Sequence, residues 1–597
     1  MRPGARRLLG LSDFHRALAA ALLALASGPA RAQVLDVRPI TPDAVGPTLR
    51  ALRAQQAEFE SLRRQRLPHW GGSISPGQCD ETIGRFCYWY EEDEPDPPPE
   101  SRSIGDARAG LIAALDSAGD AQPHDRWISG QRVRYLVEAE RYDDAVEAAR
   151  KCVALEWWCR ALQGFAYHAA ERYAQADTAY EFALALMNPR ERCEWRDMKL
   201  LIDEALMRRY RDMNCATRFT FEEPIWWLSR PRMTVAGNDA RTEYYSRLMM
   251  VQFLEEAPST YRLDFGADER ELLLRYGWPT AWTRSGSSSP LSGSGYSVVG
   301  HEPRPAYPFI PPATVLDNPA TSDSAIWRSK GLGRVLARYA PAYARRLVPL
   351  EHQAGLFRRG DSALVVTAWS VAADTALAAA AQTPDELTAA LALTKGDPKD
   401  TSIARDRSPG TRGTLLAAAP WGSMLLSLEV AAPARRTLAR ARYGVRGSDV
   451  PGSRVQMSDV VLFEPHDSMP RRLEDVLPHL RTSERIPEGS SVGLYWETYN
   501  TNPTGEAIDV AITVVEEDRG GGWLQRTLRS LRRVREQQPI TMGMQDVTAR
   551  GVPFAPRSVV VDLSTLRPGR YQIEIELDAG AGNVVRAQRP VTVVERR

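Results

Sequence analysis

Glu140-Arg141-Tyr142-x-x-Ala145 returns as Glu171-Arg172-Tyr173-x-x-Ala176, a repeat with a period of 31 residues. Each copy follows one amphipathic helical stretch and opens the next, so residues 126 to 189 read as two tandem helix pairs. A helix pair of this length cannot bury its apolar face alone, so the pairs stack, and stacking leaves a concave groove. A groove of that kind implies a binding role.

The chain has 597 residues, a length that suggests about three to five domains. Lys and Arg number 76 against 75 Asp and Glu, a formal charge of +1, which gives no general attraction to nucleic acid. Hydrophobic residues make up 43%, enough for packed cores.

Arg2, Arg6 and Arg7 precede an apolar run from Ala17 to Ser27 that is too short to span a bilayer. Ala30-Arg31-Ala32 then offers the small residues of a signal-peptidase site, so residues 1–32 are expected to be a signal peptide and the mature chain to start at Gln33. No later stretch is long and apolar enough for a membrane helix. Export permits disulfides. The six cysteines allow 15 pairings. Pairing of neighbours closes the shortest loops and predicts Cys79–Cys87, Cys152–Cys159 and Cys193–Cys215. The C-x-x-C spacing of zinc sites is absent, and neither metal nor cofactor is expected.

Leu49, Leu52, Phe59 and Leu62 lie near one helical face after Pro47-Thr48, and this helix is expected to pack on the repeats. The acidic and proline-rich run Glu91 to Glu100 cannot form a core and reads as a linker. Ser285 to Gly295 and the five prolines of residues 303–312 read as a second, flexible linker between a helical half and a β half. Ala363 to Trp369, Leu387 to Thr394 and Met424 to Val430 are strand-like. Ile508, Val510, Ile512 and Val514, and later Tyr571, Ile573, Ile575 and Leu577, alternate with polar or small residues, the period of an antiparallel sheet covered on one face.

Gly164, Tyr167, Ala176, Tyr180 and Ala183 fall at the small and large packing positions of tetratricopeptide repeats, and Pro189 lies near that family's closing proline; residues 106–215 resemble that family. The resemblance implies that the first helix of each pair lines the groove. With Ala145 and Ala176 aligned, Trp127, Arg134 and Glu138 of the first copy and Trp158, Phe165 and His168 of the second then face a protein or peptide ligand. The alternative is a groove filled by the N-terminal helix around Leu52 and Phe59.

A second set of residues runs Trp226-Trp227-Leu228-Ser229-Arg230-Pro231, Asn238, Glu243-Tyr244-Tyr245-Ser246-Arg247 and Leu274-Arg275-Tyr276-Gly277-Trp278-Pro279. This stretch resembles secreted bacterial proteins with a GWxTD domain, a family without an established activity. It departs from the signature at Ala281, where the aspartate should stand.

Catalytic spacing is not found. His301-Glu302 is followed by Pro303, Arg304 and Pro305, which exclude the helix of a zinc protease. Gly331-x-Gly333 lacks the third glycine of a dinucleotide loop. Arg519, Arg526, Arg529, Arg532, Arg533 and Arg535 surround a stripe of Leu524, Leu528 and Leu531. The stretch is read as an inserted helix with buried leucines; contact with an anionic surface is the alternative.

The sequence therefore predicts a multidomain α + β protein. Residues 1–32 form the signal, 33–105 an N-terminal helix with cysteine loop and acidic linker, 106–215 the tetratricopeptide-like repeats and 216–282 the GWxTD-like segment. Residues 283–349 form a flexible linker, 350–457 a β domain and 458–597 a C-terminal immunoglobulin-like β-sandwich. The expected function is an exported envelope scaffold for protein–protein interaction. The alternative is an envelope enzyme acting on polysaccharide or peptide.

Overall fold

A computed structural model describes residues 48–596, apart from 71–78, 91–94, 262, 287–295, 303–305, 328–335, 408, 448–454, 500–506, 518–539, 548–553 and 580–583. The signal segment, Gly331-x-Gly333 and the arginine–leucine stretch from Arg519 to Arg535 lie outside the described residues.

The N-terminal half is helical. Helices α1 (Leu49–Arg66), α2 (Arg102–Ala121), α3 (Arg126–Glu138), α4 (Tyr142–Arg150), α5 (Glu156–Ala169) and α6 (Tyr173–Leu186) come first, with a short hairpin of β1 (Glu81–Ile83) and β2 (Phe86–Tyr88) after α1. Then follow α7 (Pro189–Trp195), α8 (Glu204–Arg211), α9 (Cys215–Ser229), α10 (Asp239–Glu255) and α11 (Ala267–Tyr276).

The repeated Glu-Arg-Tyr is a repeated turn. Glu140 and Glu171 both take left-handed backbone conformations, φ 58° and 59°. At the first turn the Glu140 and Arg141 N–H groups donate to the Val137 and Leu136 carbonyls, and at the second Glu171 and Arg172 donate to His168 and Tyr167. Each closes a helix in the Schellman manner and lets the following Tyr open the next one. Ala145 and Ala176 are fully buried, the small residues that let paired helices approach. A side chain at Gly164 would meet the Tyr180 ring at 2.8 Å, so glycine makes room for that ring between α5 and α6.

Three disulfides tie this half: Cys79–Cys87, Cys152–Cys159 and Cys193–Cys215, with Cα separations of 5.3, 5.5 and 5.8 Å. Cys152–Cys159 links the residues just after α4 to α5, and Cys193–Cys215 links α7 to α9.

The stretch expected to be a flexible linker, residues 283–349, is folded over most of its described length. It carries the hairpin β3 (Ala281–Gly286) and β4 (Tyr296–His301), then β5 (Tyr307–Pro308), α12 (Ala313–Asp317) and β6 (Arg338–Tyr339). Its composition favours extended chain, but Phe309, Ala313, Ala337 and Tyr339 bury against the helical core. The Tyr343 hydroxyl donates to Asp239 at 2.8 Å.

The β half begins with β7 (Arg346–Pro349), β8 (Glu351–Arg359), β9 (Ser362–Ser370), α13 (Thr375–Ala380), β10 (Thr388–Thr394), β11 (Ser402–Asp406), β12 (Arg412–Pro420), β13 (Met424–Ala432) and β14 (Thr437–Val445). Sheets ordered β11-β10-β13-β14-β7 and β12-β9-β8 enclose one core of Leu391, Leu393, Leu426, Leu428, Val365 and Trp369. All nine residues of β13 are buried, because both of its faces are covered. Leu426 and Leu428 face that core, whereas Leu425 meets Trp227, Leu228 and Met233 of the helical half. On the same outer face Glu429 accepts from the Met233 N–H at 2.8 Å and the Thr234 hydroxyl at 2.6 Å.

The last unit contains β15 (Gln456–Met457), β16 (Val461–Phe463), α14 (Leu473–Val476), β17 (Arg485–Pro487), β18 (Ser491–Tyr499), β19 (Ala507–Glu516), β20 (Ile540–Val547), β21 (Phe554–Asp562), β22 (Gly569–Asp578) and β23 (Val584–Val594). Its five-stranded sheet runs β17-β23-β22-β19-β20, and β18 pairs with β15, β16 and β21 in the facing sheet. Tyr571, Ile573, Ile575 and Leu577 of β22 point into the shared core with Ile508, Val510, Ile512 and Val514 of β19. The two β units meet through Phe357, Val366, Val461, Phe463 and Tyr495. An ion pair joins them there, Arg359 to Glu497 at 2.5 Å, with the Tyr499 hydroxyl donating to the same carboxylate at 3.0 Å.

Candidate functional site

The groove anticipated along α3 and α5 is occupied by the chain itself. Trp127 and Trp158 are 5% and 2% exposed, and Arg134 is fully buried. Trp158 and Phe165 stand edge-on to Phe253 of α10, with ring centroids 5.9 and 5.3 Å apart. His168 bonds Thr242 and Glu243 of the same helix, both at 2.8 Å. Trp127 donates to the Glu256 carbonyl at 3.1 Å, just beyond the end of α10. Arg134 pairs with Glu60 of α1 at 3.1 Å and with Glu138 at 2.9 Å, and Glu138 also holds Arg63 of α1 at 2.9 Å. Trp127, Arg134, Trp158 and Phe165 are thus buried, and Glu138 and His168 are half-buried with their polar atoms held by α1, α3 and α10.

The occupant was hard to see in the sequence because thirteen of the residues of α10 are buried, on every side of the helix. A helix covered all round shows no apolar stripe. Its polar residues are satisfied internally. Burial alone would raise the Glu243 carboxyl, but Arg247 and His168 outweigh it and bring it down to about 2. Arg134 and Arg63 likewise bring Glu138 down to about 2 against the effect of burial.

The residues that resemble the GWxTD segment serve the same closure. Asn238 caps α10 by accepting from the Arg241 N–H at 3.1 Å and donates to the Trp226 carbonyl at 2.8 Å. Arg247 pairs with Glu243 at 2.6 Å and donates to the carbonyls of Leu274, Arg275 and Arg338 at 3.1, 3.0 and 2.6 Å. Gly277 lies at φ +100°, where a Cβ would come within 3.3 Å of the Arg247 guanidinium. His301 is likewise internal, bonded to Thr283 at 2.8 Å, and burial lowers its pKa to about 4.

A concavity remains where the 322–327 segment and the two β units meet. It has a volume of about 1020 Å³. Its walls include His352 and Gln353 of β8, Arg440, Arg442 and Tyr443 of β14, Asp459 and Glu484 from loops of the last unit, Arg589 of β23, and Trp327. His352 Nδ1 lies 2.9 Å from the Leu350 carbonyl, an acceptor only, so Nδ1 carries the proton. Nε2 therefore accepts from the Tyr443 hydroxyl at 3.1 Å, and burial keeps this imidazole neutral by lowering its pKa.

Asp459 fastens the loop before β16 to β8. It accepts from the Leu356 N–H at 2.9 Å and returns its own N–H to the Leu356 carbonyl at 3.2 Å. Arg589 crosses between units, donating to the Ala354 carbonyl at 2.8 Å and pairing with Glu484 at 3.1 Å. Burial raises both the Asp459 and Glu484 carboxyls, an effect that Arg589 partly offsets. Asp459 itself is exposed to solvent.

No family model matches the chain. No curated protein matches it. Solved structures that match include a crystal structure of Bacteroides uniformis beta-glucuronidase, with a TM-score of 0.15, 9% identity, 39% of this chain and 26% of that one. Bacteroides uniformis beta-glucuronidase 2 covalently bound to cyclophellitol-6-carboxylate aziridine matches with the same TM-score of 0.15 and 9% identity, over 39% of this chain and 26% of that one. The match spans about a quarter of those proteins' length, and likeness of this degree carries no argument about fold or activity.

Proposed function

We propose that the protein is an exported envelope binding protein, a scaffold that takes its ligand at the junction of the β units. The single observation that carries this is the 1020 Å³ concavity assembled from three parts of the chain. Ligand sites favour such junctions. The helical layer, by contrast, is closed over α10 and serves as framework. Three disulfides support export, since such bonds persist in oxidising compartments.

The repeats are tetratricopeptide-like in lineage, supported by the paired left-handed glutamates and the buried Ala145 and Ala176. The β units are immunoglobulin-like, supported by two facing sheets around a common core in each. Kinship with GWxTD proteins is supported by the shared segment that pins α10.

A photoreactive residue replacing Ser324, an exposed wall residue of the concavity, tests the assignment. It should crosslink an envelope component that the same residue at Gln175, on the outer face of α6, does not. Equal capture from both positions contradicts the assignment.

An envelope hydrolase is the second reading, favoured by one observation: two carboxyl groups, Asp459 and Glu484, line the same concavity. Turnover of envelope polysaccharide or peptide that Asp459→Asn abolishes would replace the binding assignment with this one.

A further inference from the structure

We propose that the junction concavity takes a neutral, polyhydroxylated ligand, a saccharide, an inference that rests on the binding assignment above. Three of the wall's arginines, Arg440, Arg442 and Arg589, reach into the framework, and Arg446 stands exposed at the rim. Arg440 donates to the Pro231 and Trp327 carbonyls at 2.9 and 2.8 Å. Arg442 donates to the Arg230 and Pro231 carbonyls at 2.9 and 3.1 Å. Arg589 holds the Ala354 carbonyl and Glu484 through its two terminal nitrogens, at 2.8 and 3.1 Å, and keeps its Nε–H without a partner among the described residues. Gln353 donates to the Leu462 carbonyl at 2.7 Å, and the Tyr443 proton goes to His352 at 3.1 Å.

What remains is a mixed set: free acceptor oxygens, and two buried donors without a partner among the described residues, Arg589 Nε–H and Trp327 Nε1–H. Asp459 has used one oxygen on Leu356 N–H, Glu484 one oxygen on Arg589, and the Tyr443 oxygen keeps its lone pairs. Such a wall is matched by a ligand rich in hydroxyl groups, which donate and accept alike. Its charge is also constrained. An anion would face Asp459 and Glu484, and a cation would face the guanidinium groups of Arg440, Arg442 and Arg589 behind the wall, with Arg446 exposed at the rim. A neutral polyol meets neither penalty. The His352 and Tyr443 rings, 5.5 Å apart and tilted by 39°, together with Trp327, give flat faces for the C–H side of a sugar ring. A volume of 1020 Å³ stands at the upper end of small-ligand sites, room for a short oligosaccharide.

Calorimetric titration of the mature chain with neutral hexasaccharides of glucose and of N-acetylglucosamine tests this, with spermidine and citrate as charged probes. The expected result is binding of a neutral hexasaccharide, weakened about tenfold or more by Asp459→Asn, weakened by Tyr443→Phe, and abolished by Ser324→Trp, which fills the mouth. Tyr443→Phe keeps the ring and so separates lost recognition from lost folding, because Asp459 also holds β8. Binding of spermidine or citrate alone, blocked by Ser324→Trp, overturns the saccharide and leaves the junction site standing. Binding of no probe, or binding indifferent to Ser324→Trp, overturns both.

Discussion

Trp158 of α5 stands edge-on to Phe253 of α10, centroids 5.9 Å apart and planes at 85°. A side chain that repeat geometry aims into a groove therefore meets a helix of its own chain. The ring pair is an interior contact, and replacing it has the consequences of a core substitution.

Trp158→Ala should destabilise the protein by about 3–5 kcal/mol, as large aromatic truncations in packed interiors do. The joint replacement of Trp127, Arg134 and Trp158 by Ala should unfold the helical half, because it also strands Glu60 and Glu138 without Arg134. Urea unfolding followed by circular dichroism measures both. A triple variant with an unchanged midpoint would mean that α10 does not sit in the groove.

The pH dependence of stability has two arms. Burial lifts Glu222 and Glu269 to about 7 and Glu302 to about 8, from an ordinary value of 4.5. A carboxyl raised on folding holds a proton that the unfolded chain has lost, so its contribution is complete below pH 4.5 and is lost as pH rises through 7–8. Glu138 and Glu243, brought down to about 2, contribute above 4.5 and lose that contribution as pH falls toward 2. Urea midpoints measured across this range should peak in mildly acidic solution. Glu302→Gln should flatten the alkaline arm, and Glu138→Gln the acidic one.

Much of this was legible in the sequence, and what was not has identifiable causes. The period of 31 located two turns that both place a glutamate in the left-handed region. Alternation in Tyr571 to Leu577 marked a strand with one buried face, and the short cysteine spacings correspond to the three bridges present. The occupancy of the groove was hidden because α10 is buried all round. Residues 283–349 read as linker by composition, whereas a few aromatic side chains, Phe309, Tyr339 and Tyr343, bury and fold much of the described stretch. The junction concavity joins His352, Tyr443, Asp459, Glu484 and Arg589 from five separate stretches, and no local spacing announces such a site.

The disulfides should rank by loop length. Cys193–Cys215 closes a separation of 22 residues, against 8 for Cys79–Cys87 and 7 for Cys152–Cys159. Loop-closure entropy gives about 3 kcal/mol for the long loop and somewhat less for the short ones. Paired Cys→Ser variants, compared by urea midpoint under oxidising conditions, should show Cys193/Cys215 as the most costly.

The left-handed turns offer a stabilising change. Glu140 sits at φ 58°, a region that costs a residue with a Cβ about 1–2 kcal/mol and glycine little. Glu140→Gly should raise stability by about 0.5–1 kcal/mol after the entropy of the unfolded glycine is counted. Glu140→Val should lower it. Thermal unfolding of the two variants checks the sign.

The central claim is that the helical groove is filled while the junction concavity is open to a ligand. Hydroxyl-radical footprinting of the folded, disulfide-intact chain tests both halves at once. The account predicts that Trp127, Trp158 and Phe165 stay unmodified while Tyr443, His352 and Trp327 are oxidised. Rapid oxidation of Trp127 and Trp158 with protection of Tyr443 and His352 would contradict it.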